Sequence, residues 1–439
     1  MESFDDEADV REDLLFANQT IESLLSEELW TSLCPHLSTC TTCPTKKNTN
    51  DVEANLFDLK QSFLERGYLK LEVGQLGLPQ GMCDLLADGM KCLAKHGYAP
   101  NFLLMYDEAW LVGKHCAAIV SPASGNAPIG DWYVFHVDPS CSYSPGPPHR
   151  DRPLAGPTSF RQPEGVKGQV EAEVAEVAEE VEDASDESAP EGEDQNGAPK
   201  YCSVWVALTD ATPENSCLYF VPKSLDKGYY AEGDALGVVD LRHIVAQPLA
   251  AGGMLAFSHR VLHWASQPLA QLGPAALPGG GSTKDLAGGI PAPLAQDKVG
   301  FSPRSRMALS FAFADPDFEE PYFDHTLYLS MGTGTGTGTD DIEGAALPPM
   351  GLRLGLVAGQ AIQYEHMIEM DKHAVAFYRR VFHSQKEFFL PAYYEKISST
   401  VQFLAFRKQQ ERQRSVSKGR QLANIVSATA RASARSKTL

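Results

Sequence analysis

The sequence predicts a mainly β domain with helical elements at both ends, and three observations carry that expectation. Short runs rich in aromatic and β-branched residues occupy the middle of the chain, separated by Gly, Pro and Asn. One run alternates Arg306, Ala308, Ser310 and Ala312 on one face with Met307, Leu309, Phe311 and Phe313 on the other. A bulky apolar face backed by a small one with a single charge suits a barrel interior that leaves room for a ligand. Helical spacing, in contrast, is found up to residue 96 and again after Leu347.

Taken in order, residues 1–50 read as a polar, partly helical leader. Its one amphipathic candidate is Leu14 to Leu33, with Leu14, Ile21, Leu24, Leu25 and Leu29 at helical spacing. Helices are expected over 51–66 and 79–96, the second opened by Pro79. Strands are expected at Leu103 to Tyr106, Lys114 to Val120 and Trp132 to Val137. Tyr201 to Asp210 follows, with Ser203, Trp205 and Ala207 on one face. Tyr219 to Val221, Met254 to Ser258 behind Gly252-Gly253, and Arg306 to Phe313 complete the set, so the β domain spans 51–330.

Three insertions interrupt it or follow it. The acidic stretch 163–199 is expected to be disordered or a weak solvated helix, and 268–300 is rich in Gly and Pro. Residues 331–346 contain the Gly-Thr repeat Gly332 to Thr339 and read as a flexible loop. Helices are expected over 347–410, the first bearing Ile362, Met367, Met370, Val375, Phe377, Tyr378 and Phe382 and ending near Ser384. A second runs from Pro391 towards Gln410, and Phe388, Phe389, Tyr393 and Tyr394 are expected to pack this region onto the β core.

The formal charge of −20 sits mostly outside the predicted core. Residues 1–30 hold ten acidic groups and one basic; residues 163–199 hold thirteen and one. Residues 404–439 hold nine basic and one acidic, so the tail at 411–439 is a candidate for an acidic partner and otherwise a solvated end. No other nucleic-acid footprint exists, and none is expected to bind. The opening acids Glu2, Asp5, Asp6 and Glu7 do not resemble a secretory leader, and no run of about 18 apolar residues predicts a membrane span. The end Ser436-Lys437-Thr438-Leu439 misses the peroxisomal tripeptide by one inserted Thr, so a cytoplasmic location is expected. Nine scattered cysteines predict reduced thiols. Cys34, His36, Cys40 and Cys43 are read as a loop of free thiols, with a small zinc site as the alternative.

The chemistry is carried by His149 and Asp151, two apart and so able to reach one metal from a strand end. Pro147 and Pro148 stiffen the approach. His263 supplies a second histidine, and two histidines with one carboxylate can occupy one face of an Fe(II) and leave three positions open. Arg306 offers a planar fork for a carboxylate. Alternatives stay open: His259 could replace His263, and Arg304 could replace Arg306. His136, His115 and His243 are read as ordinary interior or surface histidines, and Tyr106-Asp107-Glu108 as a solvated turn rather than a pocket wall.

His149-Arg150-Asp151, the run Trp205 to Thr212 with Asn215 and Leu218, Leu262-His263 after the glycine pair, and Arg306 before Ala308-Leu309-Ser310 occur in a telling order. Together they resemble the phytanoyl-CoA dioxygenase family of Fe(II)/2-oxoglutarate oxygenases, over roughly 57–330 without the long insertions. The resemblance implies a double-stranded β-helix, a jelly roll of the cupin type, with its site between the sheets. It implies His149, Asp151 and His263 as iron ligands, Arg306 on the distal carboxylate of 2-oxoglutarate, and Trp205 and Ser310 lining the cosubstrate pocket. The implied reaction consumes O₂, decarboxylates 2-oxoglutarate to succinate and hydroxylates a small-molecule or lipid-like substrate. Asp151 favours hydroxylation over halogenation, since related halogenases lose that carboxylate. The competing readings are an inactive jelly-roll binding or scaffold protein, and an oxygenase acting on a protein residue.

Overall fold

Alternation along one strand sets the plan of the molecule. The structure, a computed structural model, describes residues 20–39, 56–138, 148–154, 192–231, 240–265, 305–328, 347–365, 370 and 372–401. The strands are β1 (Tyr68–Leu71), β2 (Ala127–Val137), β3 (Tyr201–Ala207), β4 (Leu218–Val221), β5 (Val245–Gln247), β6 (Met254–Ser258), β7 (Leu262–Ala265) and β8 (Arg306–Ala314). They form two antiparallel sheets, one in the order β1-β6-β3-β8-β2 and a smaller one in the order β5-β4-β7. On β8, Met307, Leu309, Phe311 and Phe313 join the core shared with the helices. Ala308, with Trp205, Ala207, Leu255 and Phe257 of its sheet, meets Leu218 and Phe220 of the smaller sheet instead. The small face therefore looks into the space between the sheets, although Ala312 at its far end is buried with the helical side.

The helices are α1 (Ile21–Leu24), α2 (Glu27–Leu33), α3 (Leu56–Arg66), α4 (Met82–Lys95), α5 (Asp107–Ser124), α6 (Met350–Gln363), α7 (Lys372–Ser384) and α8 (391–401). They hold more of the described residues than the strands do, so the architecture is mixed helix and antiparallel sheet rather than mainly β. Two of the expected strands account for part of that difference. Leu103 to Tyr106 lies at the end of a 3₁₀ turn, Pro100–Met105, and Lys114 to Val120 lies inside α5. Thirteen of the eighteen residues of α5 are buried, so its outer face is narrow and poor in polar residues, and Ile119 and Val120 imitate a strand. The helix expected to end near Ser384 is two helices, α6 and α7, both within the stretch expected to be helical. The leader candidate Leu14 to Leu33 is likewise broken at Leu25-Ser26, and residues 14–19 lie outside the described residues. The expectations for 163–191, 268–300, 331–346 and 411–439 also lie outside them.

Packing explains why the leader is docked. Trp30 is fully buried, donates from its indole to the Leu24 carbonyl at 2.7 Å, and stacks on Phe102 at 5.5 Å. Asp107 is no solvated turn residue: it is wholly buried and paired with Arg353 of α6 at 2.6 Å. Arg353 also donates to the carbonyls of Met105 and Pro348, so α6 is tied to the start of α5 by a buried ion pair. Helix α5 approaches the large sheet at Gly113. A Cβ there would meet the Trp132 ring at 2.8 Å, and that ring is held edge-on to Phe311 and against Trp110 at 4.3 Å.

Gly113→Ala is therefore expected to destabilise the protein. Alanine gains about 1 kcal/mol in helix propensity, but overpacking a rigid buried ring costs typically 1–3 kcal/mol. A urea titration should show a lower midpoint at unchanged slope; a higher midpoint would mean that α5 can move off the sheet freely.

Candidate metal centre

Backbone pairing brings the two histidines together. His149 and His263 exchange both backbone hydrogen bonds, each 3.0 Å, as an isolated bridge alongside β7. Two residues directly opposite in an antiparallel pair project their side chains to the same face, and Asp151, two further on, shares it. The Asp151 N–H donates to the His259 carbonyl at 3.0 Å, which holds the turn after the bridge. Arg150 points the other way and pairs with Asp226 at 2.7 Å.

One ligand-type atom from each of His149, Asp151 and His263 lies within 4.8 Å of the others. Asp151 Oδ1 is 3.8 Å from His149 Nε2 and 3.5 Å from His263 Nε2. Among the described residues no other group of three His, Cys, Asp or Glu meets in this way. His263 is buried, Asp151 half-buried and His149 exposed, so the cluster opens on the His149 side.

The protonation states suit a cation. Burial pushes His263 below its ordinary value more than the neighbouring Asp151 lifts it. Its Nδ1–H donates to the Val261 carbonyl at 3.0 Å, so the lone pair is on Nε2, facing the cluster. Burial would raise Asp151, but the two histidines, the Ser203 hydroxyl and Arg152 outweigh it and hold the carboxyl below its usual range. Ser203 donates to Asp151 Oδ2, leaving Oδ1 for the histidine side.

Arg306 is buried at the start of β8, donates from Nη1 to the Ser216 carbonyl, and lies over the Trp205 ring at 5.4 Å. Ser216 has φ +79°, unique among the described non-glycine residues, and that turn aims its carbonyl at the guanidinium. Ser310 sits directly opposite Trp205 on the neighbouring strand. The structure thus brings His149, Asp151 and His263 together, and sets Arg306, Trp205 and Ser310 together on the neighbouring strands β3 and β8. His259 does not join the cluster; its Nδ1 faces the Tyr201 carbonyl at 3.1 Å, and Nε2 is buried without a hydrogen-bond partner among the described residues. Arg304, Cys40 and Cys43 lie outside the described residues, whereas Cys34 is buried with its thiol towards the Gly89 carbonyl at 3.8 Å. His115, His136 and His243 stand elsewhere. Sequence reasoning missed the roles of Ser203 and Arg152. The parity of Ser203 with Trp205 was a usable signal, but the partners of Arg152 are too remote in the chain to give one.

The family model for phytanoyl-CoA dioxygenase matches residues 171–269. Over that stretch, under a quarter of its length, the chain is similar to the phytanoyl-CoA dioxygenase family. The match takes in Trp205 and His263 but starts after Asp151 and stops before Arg306. No curated protein matches the chain. Among solved structures it is similar to the epimerase SnoN, in complex with Fe3+, alpha ketoglutarate and nogalamycin RO. Identity is 18% over 67% of this chain and 96% of that one, at a TM-score of 0.35. HygX from Streptomyces hygroscopicus, with nickel and 2-oxoglutarate bound, is 11% identical over 58% and 86%, at 0.33. Overlaps of that degree leave the fold to be argued from the chain itself.

His259 gives a pH signature. Burial pulls it from 6.5 down to about 4, ahead of the opposing Tyr201 carbonyl. The unfolded chain then binds more protons than the folded one below about 6.5, so stability falls as pH drops from about 6.5 to about 4. In metal-free protein, His259→Gln should flatten that fall by up to ~1.4 kcal/mol per pH unit. An identical slope in the variant, read by denaturant titrations across the window, would remove His259 as the cause.

Proposed function

We propose that the protein is an Fe(II)/2-oxoglutarate-dependent oxygenase, with His149, Asp151 and His263 as the metal ligands. The observation that carries this reading is the meeting of their three donor atoms within 4.8 Å, with both histidines set on adjacent backbones by paired hydrogen bonds. The donor set fits the ion: two imidazoles and one carboxylate are a ligand type of non-haem iron, and they leave positions open. His263 holds its proton away from the cluster, and Asp151 is kept ionised, so neither must be rebuilt to bind. The two sheets enclosing the cluster are read as the two halves of a double-stranded β-helix.

When bound, iron with 2-oxoglutarate and O₂ would supply the oxidising chemistry that converts a substrate C–H bond. The chain's own residues do the rest. Arg306 would hold the far carboxylate of 2-oxoglutarate by parallel N–H donors, its plane braced by Trp205. Ser310, small and opposite Trp205, leaves space there and adds a hydroxyl. Phe220 and Phe257 stand against His263, at 6.2 and 4.7 Å between ring centroids, and keep water from its buried side. We read the outcome as hydroxylation of a small-molecule or lipid-like substrate, with succinate as coproduct. The phytanoyl-CoA dioxygenase match supports the class of chemistry.

Anaerobic titration of the metal-free protein with Fe(II) and 2-oxoglutarate should give a weak visible charge-transfer band. His263→Ala should abolish it, and Arg306→Ala should weaken 2-oxoglutarate binding at least about tenfold, because a buried charge partner is lost. A folded protein that gives no band would sink the oxygenase reading in favour of a binding protein with this fold.

A further inference from the structure

We propose that Arg152 is a positioning residue for Asp151, and that helices α6 and α8 hold it in place from outside the sheets. The inference rests on the reading of Asp151 as a metal ligand. Arg152 follows Asp151 in the chain, and its guanidinium folds back so that Nη1 donates to the Asp151 carbonyl at 3.1 Å. Its other donors are taken by two distant carboxylates. Nε donates to Glu319 Oε2 at 2.8 Å, and Nη2 donates to Asp131 Oδ2 at 3.0 Å and Glu319 Oε1 at 3.3 Å. The planar cation also lies over the Tyr201 ring at 4.7 Å.

Each carboxylate has a second anchor in the C-terminal helices. Asp131 accepts from the Tyr364 hydroxyl at 2.8 Å and from Gln363 Nε2 at 3.2 Å, at the end of α6. Glu319 accepts from Lys396 Nζ of α8 at 3.1 Å. The Arg152 carbonyl accepts from Arg260 Nη1 at 3.2 Å. The backbone of Asp151 is therefore gripped on both sides, its N–H by the His259 carbonyl and its C=O by Arg152. With Ser203 on Oδ2, few orientations remain for Oδ1. The side chains of Asp131 and Glu319 are only 2% and 6% exposed, so this is no solvated surface pair. Lysine could not replace the arginine here, because it lacks the fork that spans two carboxylates and a carbonyl.

Cobalt(II) is the probe, since its visible spectrum reports coordination geometry directly. Full-length metal-free protein would be titrated as wild type and as Arg152→Lys, Glu319→Gln and Lys396→Met. The control is Asp107→Asn, which disturbs a buried ion pair with Arg353 away from the cluster. Arg152→Lys and Glu319→Gln should lose about 10-fold or more in Co(II) affinity and change the spectrum. Lys396→Met should do the same more weakly, while Asp107→Asn should lose thermal stability and bind Co(II) like the wild type. The proposal is overturned if folded Glu319→Gln and Lys396→Met keep wild-type affinity and spectrum, or if Asp107→Asn loses affinity equally. Should Arg152→Lys fail to fold, those two variants still decide. A wild-type protein that binds no Co(II) would instead overturn the metal reading beneath it.

Discussion

Everything in the candidate centre hangs on two hydrogen bonds, those exchanged between the backbones of His149 and His263. They set both imidazoles on one face and carry Asp151 to the same side. Two such bonds contribute only about 1–3 kcal/mol together, too little to secure a short segment against fraying. The neighbours supply the rest. On one side β7 is paired with β4, and on the other Arg150 turns away from the cluster to a buried ion pair with Asp226. The residue between the two proposed ligands thus anchors the segment while its neighbours do the chemistry.

The same economy of faces runs through β8. Its bulky side chains face the helices, and its small ones leave space between the sheets where Arg306 and Trp205 stand together. A buried arginine has a high desolvation cost, and here the Ser216 carbonyl and the indole ring offset part of it. Ser216 reaches that carbonyl position through a left-handed backbone, a local strain accepted where the surrounding turn demands it.

Period-two alternation made the interior strands legible, because a face that is half small and half bulky leaves a mark in the chain. Tyr201 to Asp210 and Arg306 to Phe313 were readable for that reason, Trp132 to Val137 by its aromatic and β-branched residues, and Met254 to Ser258 by the glycine pair that opens it. Helix α5 was not, since its partly exposed face is narrow and holds few polar residues to identify a helix. The six proposed site residues were singled out by their order along the chain, with His149 and Asp151 also marked by spacing. What could not be read was the support beneath them. Arg152 is an ordinary arginine in sequence, and only the fold shows that Asp131, Glu319, Tyr364 and Lys396 converge on it.

That convergence has a bearing on how the protein is made. The partners of Arg152 are spread from Asp131 to Lys396, and the Asp107–Arg353 pair spans a similar stretch. Contacts of such long sequence separation must wait for loop closure, which is slow. On a ribosome, the histidines and the carboxylate emerge well before Lys396 does. The three donors are thus synthesised early but acquire their full support only when the last described helix has left the exit tunnel and docked.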